Sequence, residues 1–143
     1  MRVLFLCTHN SSRSQMAEGL LRACSGDRYA VFSAGTHPRG VHPLAIQVMR
    51  EIGVDISEAA GHRAKPLDEF VGQPPMDLVV TVCDDAAEEC PFFPGARRQE
   101  HWGFPDPSAI TGSETERLAA FRSVRDGIAA RITTFVAQTG RQQ

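Results

Sequence analysis

The sequence predicts an α/β fold of three layers: a four-stranded parallel sheet flanked by helices. Three observations predict it. Short apolar runs with strand character alternate with segments whose apolar residues recur at helical spacing. The run Asp77-Leu78-Val79-Val80-Thr81-Val82 is apolar almost throughout, as a parallel strand covered on both faces is. And 143 residues read most simply as a single domain, residues 1–143, large enough to bury about 70% of its unfolded surface without disulfide staples.

Each element has its own warrant. Residues 2–6 form a short apolar strand, and residues 14–24 a helix with Met16, Leu20 and Ala23 on one face. Cys24 falls near the end of that helix on its apolar side and is read as core. Tyr29 to Ser33 is the second strand, closed by Gly35. His42-Pro43 starts a helix with proline at its first position. Leu44, Val48, Met49 and Ile52 give that helix its apolar face, and Gly53 stops it. Residues 54–76 are less regular: Ala59 to Lys65 reads as loop, and Pro66 to Phe70 as a short helix ended by Gln73-Pro74-Pro75. The third strand is 77–82, and residues 98–102 are a weaker fourth. Phe104 to Gly112 is loop. Ser113 and Glu116 make a capping box for a long terminal helix carrying Leu118, Phe121, Val124, Ile128, Ile132 and Phe135.

Composition excludes several function classes. An apolar fraction of 42% and a charged fraction of 22% describe a soluble globular domain. The formal net charge is −2, with no basic run to engage nucleic acid and no charge block to make a disordered tail. The start, Met1 to Cys7, lacks the length and small-residue cleavage site of a signal peptide. No segment reaches the roughly 20 apolar residues of a membrane span. A cytoplasmic monomer is expected. In that compartment the four cysteines fit catalytic, redox or metal roles better than structural disulfides.

Seven residues concentrate the chemistry: Cys7-Thr8-His9-Asn10-Ser11-Ser12-Arg13, followed by Ser14. They join the end of the first strand to the start of the first helix, the edge where parallel sheets place anion sites. Successive backbone N–H groups and the positive helix end suit an oxyanion. Arg13 can hold two anion oxygens through its planar fork. The same field favours a Cys7 thiolate, to which the Ser14 hydroxyl can donate. Asn10 tolerates the left-handed conformation that a tight loop needs. Thr8 to Ser14 are therefore the candidate anion-binding residues and Cys7 the candidate nucleophile. The alternative is a buried strand-end cysteine beside a surface arginine, since Cys-x5-Arg alone is common. Cys83 ends the third strand, so both thiols emerge on the same sheet edge.

The stretch Cys7 to Glu18 resembles the signature of arsenate reductases built on the low-molecular-weight protein tyrosine phosphatase fold. The similarity continues, in order, through Ser33-Ala34-Gly35-Thr36, Val79-Val80-Thr81-Val82-Cys83, Cys90-Pro91 and Glu100 to Pro107. The resemblance implies arsenic detoxification by a three-cysteine relay. Cys7 attacks arsenate, Cys83 attacks Cys7 as arsenite leaves, and Cys90 attacks Cys83. The resulting Cys83–Cys90 disulfide goes to an external dithiol, in this family typically thioredoxin. No bound cofactor is implied, and phosphate or sulfate would be substrate analogues. In a helix, residues 83 and 90 would lie about 10.5 Å apart, beyond the roughly 7 Å of a disulfide. The segment between them is therefore expected to change structure on oxidation.

Asp106-Pro107 resembles the general-acid loop of the same fold. Some relatives bind potassium beside the anion loop, and Asn10, Glu18 and Ser33 match positions used there. The remaining ligands come from a Thr, Ser and Asp-rich stretch that corresponds to Ala59-Ala60-Gly61-His62 in this reading, so no metal is predicted. A structural zinc site is disfavoured because Cys83 and Cys90 lack a second close pair. His62 and His101 read as structural. The runner-up function is a low-molecular-weight protein tyrosine phosphatase working through a phosphocysteine at Cys7. Ser108-Ala109 follow Asp106-Pro107 where such phosphatases carry an aromatic grip, and a phosphatase has no use for Cys83 and Cys90. A weak phosphatase side activity is still expected. A non-catalytic oxyanion sensor is a third reading, disfavoured because no nucleic-acid motif would carry its signal.

Overall fold

The computed structural model describes residues 1–84 and 92–141. Its four strands are β1 (Arg2–Cys7), β2 (Ala30–Gly35), β3 (Leu78–Thr81) and β4 (Gln99–His101). Its three α-helices are α1 (Arg13–Ser25), α2 (Pro43–Arg50) and α3 (Glu114–Arg141). The sheet order is β2-β1-β3-β4, with every pairing parallel. The α/β class, the four strands and their parallel sense all follow the sequence pattern. Short 3₁₀ turns fill the gaps at Glu58–Ala60, Leu67–Phe70 and Pro107–Ala109.

The central strands explain why their sequences are uninterruptedly apolar. Val3, Phe5 and Cys7 of β1 join Leu78 and Val80 of β3 on one face. Leu4, Leu6 and Val79 face the other way. The first face receives α1, α2 and α3, including the predicted terminal-helix residues Phe121, Val124, Ile128, Ile132 and Phe135. The second face is covered by Phe70, Met76 and Phe93. Each large side chain buried this way contributes about 1.5–3 kcal/mol. The helix layer is thus concentrated on one face, and the described cover of the other is a single 3₁₀ turn with its flanking loops.

Three expectations are corrected. Cys24, read as core, is exposed, and so is Ala23. The last turn of α1 buries Ser25, whose hydroxyl donates to the Leu21 carbonyl, and leaves Ala23 and Cys24 on the outside. Ile52, assigned to the apolar face of α2, is 44% exposed. The helix ends at Arg50, and the chain turns away through Gly53 at φ 78°. The capping box at Ser113 forms in part: the Glu116 N–H donates to Ser113 Oγ at 3.1 Å, and the serine hydroxyl donates to the Glu116 carboxylate at 3.1 Å.

Candidate active site

β1 delivers Cys7 to the carboxyl edge of the sheet, and α1 begins six residues later. The loop between them turns back on itself at Asn10, whose φ of 49° is the one positive value among the described non-glycine residues. Its carbonyl oxygens are drawn outward. Thr8, His9 and Ser11 accept the main-chain N–H groups of His37, Arg39 and His42, at 2.8, 3.0 and 2.9 Å. A strap of residues 37–42 therefore fixes the loop from outside. Ser12, at the N-cap of α1, makes no side-chain capping bond to the first turn. The strap thus occupies the carbonyls of three loop residues, while the Asn10 N–H turns toward Cys7 Sγ.

Gly35 lets the strap leave β2 against the loop. A Cβ there would lie 2.7 Å from the Thr8 carbonyl and 2.8 Å from the Asn10 nitrogen. Both are backbone atoms that cannot step aside.

The thiol is held by a directional chain. Asn10 Nδ2 donates to Ser14 Oγ at 2.8 Å, and Ser14 Oγ lies 2.9 Å from Cys7 Sγ. Against a thiolate at Cys7 the serine hydroxyl is the donor of this pair, one of its lone pairs already being taken by Asn10. The Asn10 N–H also donates to Sγ at 3.2 Å. Asn10 is itself fixed by Gln15 Nε2 and the Lys65 N–H, which donate to its Oδ1 at 3.1 and 2.8 Å. Asn10, Ser14 and Gln15 are fully buried.

Arg13 is 3% exposed, and its Nη1 donates to the Phe104 carbonyl at 3.1 Å. Its Nη2 lies 3.8 Å from Asp106 Oδ2. The other carboxylate oxygen of Asp106 accepts from the Ser108 N–H and Oγ at 2.9 and 2.7 Å, so Oδ1 is anchored and Oδ2 stands toward Arg13. Cys7, His9, Ser11, Ser12, Arg13 and Asp106 line one cleft of about 340 Å³. Arg39, His42 and Ser108 complete its rim. His42 accepts the Leu44 N–H on Nδ1 at 3.1 Å and lies over Phe121. Burial, with Arg117 adding to it, pushes this imidazole below its usual titration range and favours the neutral ring.

Cys83 is fully buried just beyond β3 and is disulfide-bonded, whereas Cys7 and Cys24 are free thiols. The Val82 N–H donates to the Leu6 carbonyl at 2.9 Å, so the two chain segments leave the sheet side by side. Val82 packs on the same face as Cys7. Cys90 and the expected rearrangement between residues 83 and 90 lie outside the described residues.

The sequence missed the rim and the back of the loop. Arg39 carries no motif signal, and His42 was legible only as a helix start. Of the expected stretch Ala59 to His62, His62 faces Glu18 at 3.5 Å, and Arg63 to Lys65 complete that side: Lys65 donates to Asn10 and Ser33, and Arg63 O accepts from Gln15. His62 is structural as expected, 6% exposed with Nδ1 at 3.0 Å from Gln15 Oε1. His101 likewise pairs with Thr81 Oγ1 at 2.8 Å.

The chain as a whole has counterparts among known proteins. An arsenate reductase of Halalkalibacterium halodurans is 48% identical over 139 residues, covering 97% of this chain and 96% of that one. The solved structure of an arsenate reductase in its oxidised state superimposes with a TM-score of 0.77 at 32% identity, covering 96% of this chain and 97% of that one. A thioredoxin-dependent arsenate reductase of Corynebacterium glutamicum gives a TM-score of 0.71 at 29% identity, covering 99% of this chain and 63% of that one. Residues 2–143 match the low molecular weight phosphotyrosine protein phosphatase family along nearly their whole length. The strand–loop–helix unit that carries Cys7 and Arg13 is thus set on that family's fold, and the chain belongs to the family.

Proposed function

We propose that this chain reduces arsenate to arsenite with Cys7 as nucleophile. The observation that carries the reading is the Asn10–Ser14–Cys7 hydrogen-bond chain, which holds a thiol at the floor of a cleft walled by Arg13. The arsenate reductases at 42–48% identity support the choice of oxyanion. Arsenate binds in the cleft, its oxygens facing the loop N–H groups and Arg13. The Cys7 thiolate attacks arsenic and a protonated oxygen leaves, giving a sulfur–arsenic bond. Cys83 is disulfide-bonded in this structure, so the cycle starts once an external dithiol has reduced it; the Cys83 thiolate then attacks Cys7 Sγ. The sulfur–arsenic bond breaks with its electron pair left on arsenic, so As(V) becomes As(III) as a Cys7–Cys83 disulfide forms. Cys90 attacks Cys83 and releases the Cys7 thiolate. An external dithiol reduces the Cys83–Cys90 disulfide; thioredoxin is the proposed reductant, as for the Corynebacterium glutamicum relative. Phosphate and sulfate compete as unreactive tetrahedral anions.

The deciding experiment is arsenate-dependent NADPH consumption with thioredoxin and thioredoxin reductase, comparing wild type with Cys90→Ser. Sustained turnover in wild type and at most one turnover in the variant is the expected result. Equal turnover in both removes Cys90 from the mechanism. No turnover in wild type, with robust aryl phosphate hydrolysis, overturns the reading in favour of a phosphatase. The placement of Asp106 beside Arg13 favours a slow aryl phosphatase side activity in any case, because that carboxyl can protonate a leaving oxygen.

A further inference from the structure

Some relatives hold a potassium ion beside the anion loop, and the polar groups of this chain do not fit one. The place is taken. Lys65 Nζ lies 2.8 Å from the Arg63 carbonyl, 3.4 Å from Ser33 Oγ and 3.8 Å from Glu18 Oε1. Those three oxygens are what a monovalent cation would need. The Glu18 carboxylate is 3% exposed and is already engaged by Arg22 and the Ser33 hydroxyl, each at 2.5 Å. His62 Nδ1 adds a further polar neighbour at 3.5 Å.

We infer that Lys65 is a positioning residue of the anion loop, its ammonium group serving as a tethered monovalent cation behind Asn10. The inference rests on the reading of residues 7–14 as an oxyanion site. The route from the ammonium to the sulfur is short. The side chain of Lys65 ties residues 63–65 to α1 through Glu18 and to β2 through Ser33. Its main-chain N–H then donates to Asn10 Oδ1 at 2.8 Å. That bond sets which end of the Asn10 amide faces Ser14, and so the direction of the proton facing Cys7. The charge also gives the buried Glu18 carboxylate a second cationic partner beside Arg22. The consequence is a protein whose loop is indifferent to dissolved potassium.

The lysine also borders a cleft of about 310 Å³ that it shares with Glu18, Arg22 and Gly61. Truncating its side chain opens the pocket to a small cation from solvent. This gives a test that a purely structural lysine would fail. Phosphate affinity, by calorimetry, and melting temperature are measured in potassium, ammonium and tetramethylammonium chloride at equal ionic strength. Wild type gives the same values in all three salts. Lys65→Ala binds phosphate about tenfold more weakly in tetramethylammonium, the loss expected for a charge-assisted hydrogen bond, and recovers in ammonium or potassium. Lys65→Met, which fills the space without the charge, stays weak in every salt. Wild-type values that rise with potassium overturn the inference, and this outcome needs no variant. So does a Lys65→Ala variant that binds phosphate like wild type, or one that no small cation restores. Arsenate turnover in the same samples reports separately: its absence in wild type defeats the proposed reaction while the phosphate data still decide Lys65.

Discussion

Cys7 Sγ lies 2.9 Å from Ser14 Oγ, which also accepts from the Asn10 amide, so that against a thiolate the serine proton faces the sulfur. A hydrogen bond to a charged group is worth about 1.5–3 kcal/mol. Ser14→Ala should therefore slow iodoacetamide trapping of Cys7 at neutral pH by at least about tenfold. Cys24, free and exposed, is an internal reference whose trapping rate should not change. Equal Cys7 rates in the two proteins would show that the serine is no more than packing.

Gly35 tests the same loop from its backbone. An alanine Cβ would sit 2.7 Å from the Thr8 carbonyl and 2.8 Å from the Asn10 nitrogen. Overpacking against atoms that cannot move costs about 1–3 kcal/mol, and here the displaced atoms belong to the anion loop. Gly35→Ala is expected to lower the urea midpoint and to weaken phosphate binding more than it weakens the fold. A variant with wild-type phosphate affinity would refute the close approach.

The parts of this molecule that the sequence made legible are those with a local signature. β1 and β3 announced themselves because a central parallel strand is buried on both faces, and Val3 to Leu6 and Leu78 to Val80 are apolar for that reason. Asn10 was legible because few other residues accept its backbone conformation. The strap of residues 37–42 was not, since it works through main-chain N–H groups that any residue but proline supplies. Lys65 was read only as the end of a loop, and its role was not legible for a related reason. Its loop has no period, so only the fold shows that residues 63–65, and not 59–62, reach Asn10. Cys24 failed differently: periodicity put an apolar residue on the buried side of α1, but it is the polar Ser25 that the last turn buries, with its hydroxyl satisfied by the Leu21 carbonyl.

The α2–α3 junction gives a pH prediction. Glu51 receives two bonds from Arg122 Nε, at 2.9 and 3.0 Å, one from Arg122 Nη2 at 2.7 Å and one from Arg125 Nη1 at 2.8 Å. Hydrogen bonding to Arg122, then to Arg125, lowers its carboxyl from 4.5 to about 2. A depressed carboxylate contributes stability that is fully present above its unfolded value and is lost as pH falls through its folded one. The stability gap between wild type and Glu51→Gln should thus be constant from neutral pH down to about 5, then close as the pH approaches 2. Urea unfolding of both proteins across that range checks it, and a gap that persists at pH 2 would assign the effect to packing.

Asp106 separates proton donation from electrostatics. Its Oδ1 is committed to Ser108, while Oδ2 stands 3.8 Å from Arg13 Nη2 at the cleft. Asparagine keeps the capping bond to the Ser108 N–H, because it is as good an N-cap as aspartate, but it has no proton to give. The demand for that proton depends on the leaving group. A phenolate departing from phenyl phosphate needs it badly, and general-acid catalysis of such a step is worth about 10²- to 10⁴-fold. An oxygen leaving arsenate can take its proton from the oxyanion itself or from water. Asp106→Asn is therefore expected to lower kcat/KM for phenyl phosphate by at least about a hundredfold, and to lower kcat/KM for arsenate by much less. Parallel measurement of the two substrates decides the role. Equal losses would mean that the carboxylate acts by holding Arg13 in place, and an unchanged phenyl phosphate rate would remove it from the chemistry.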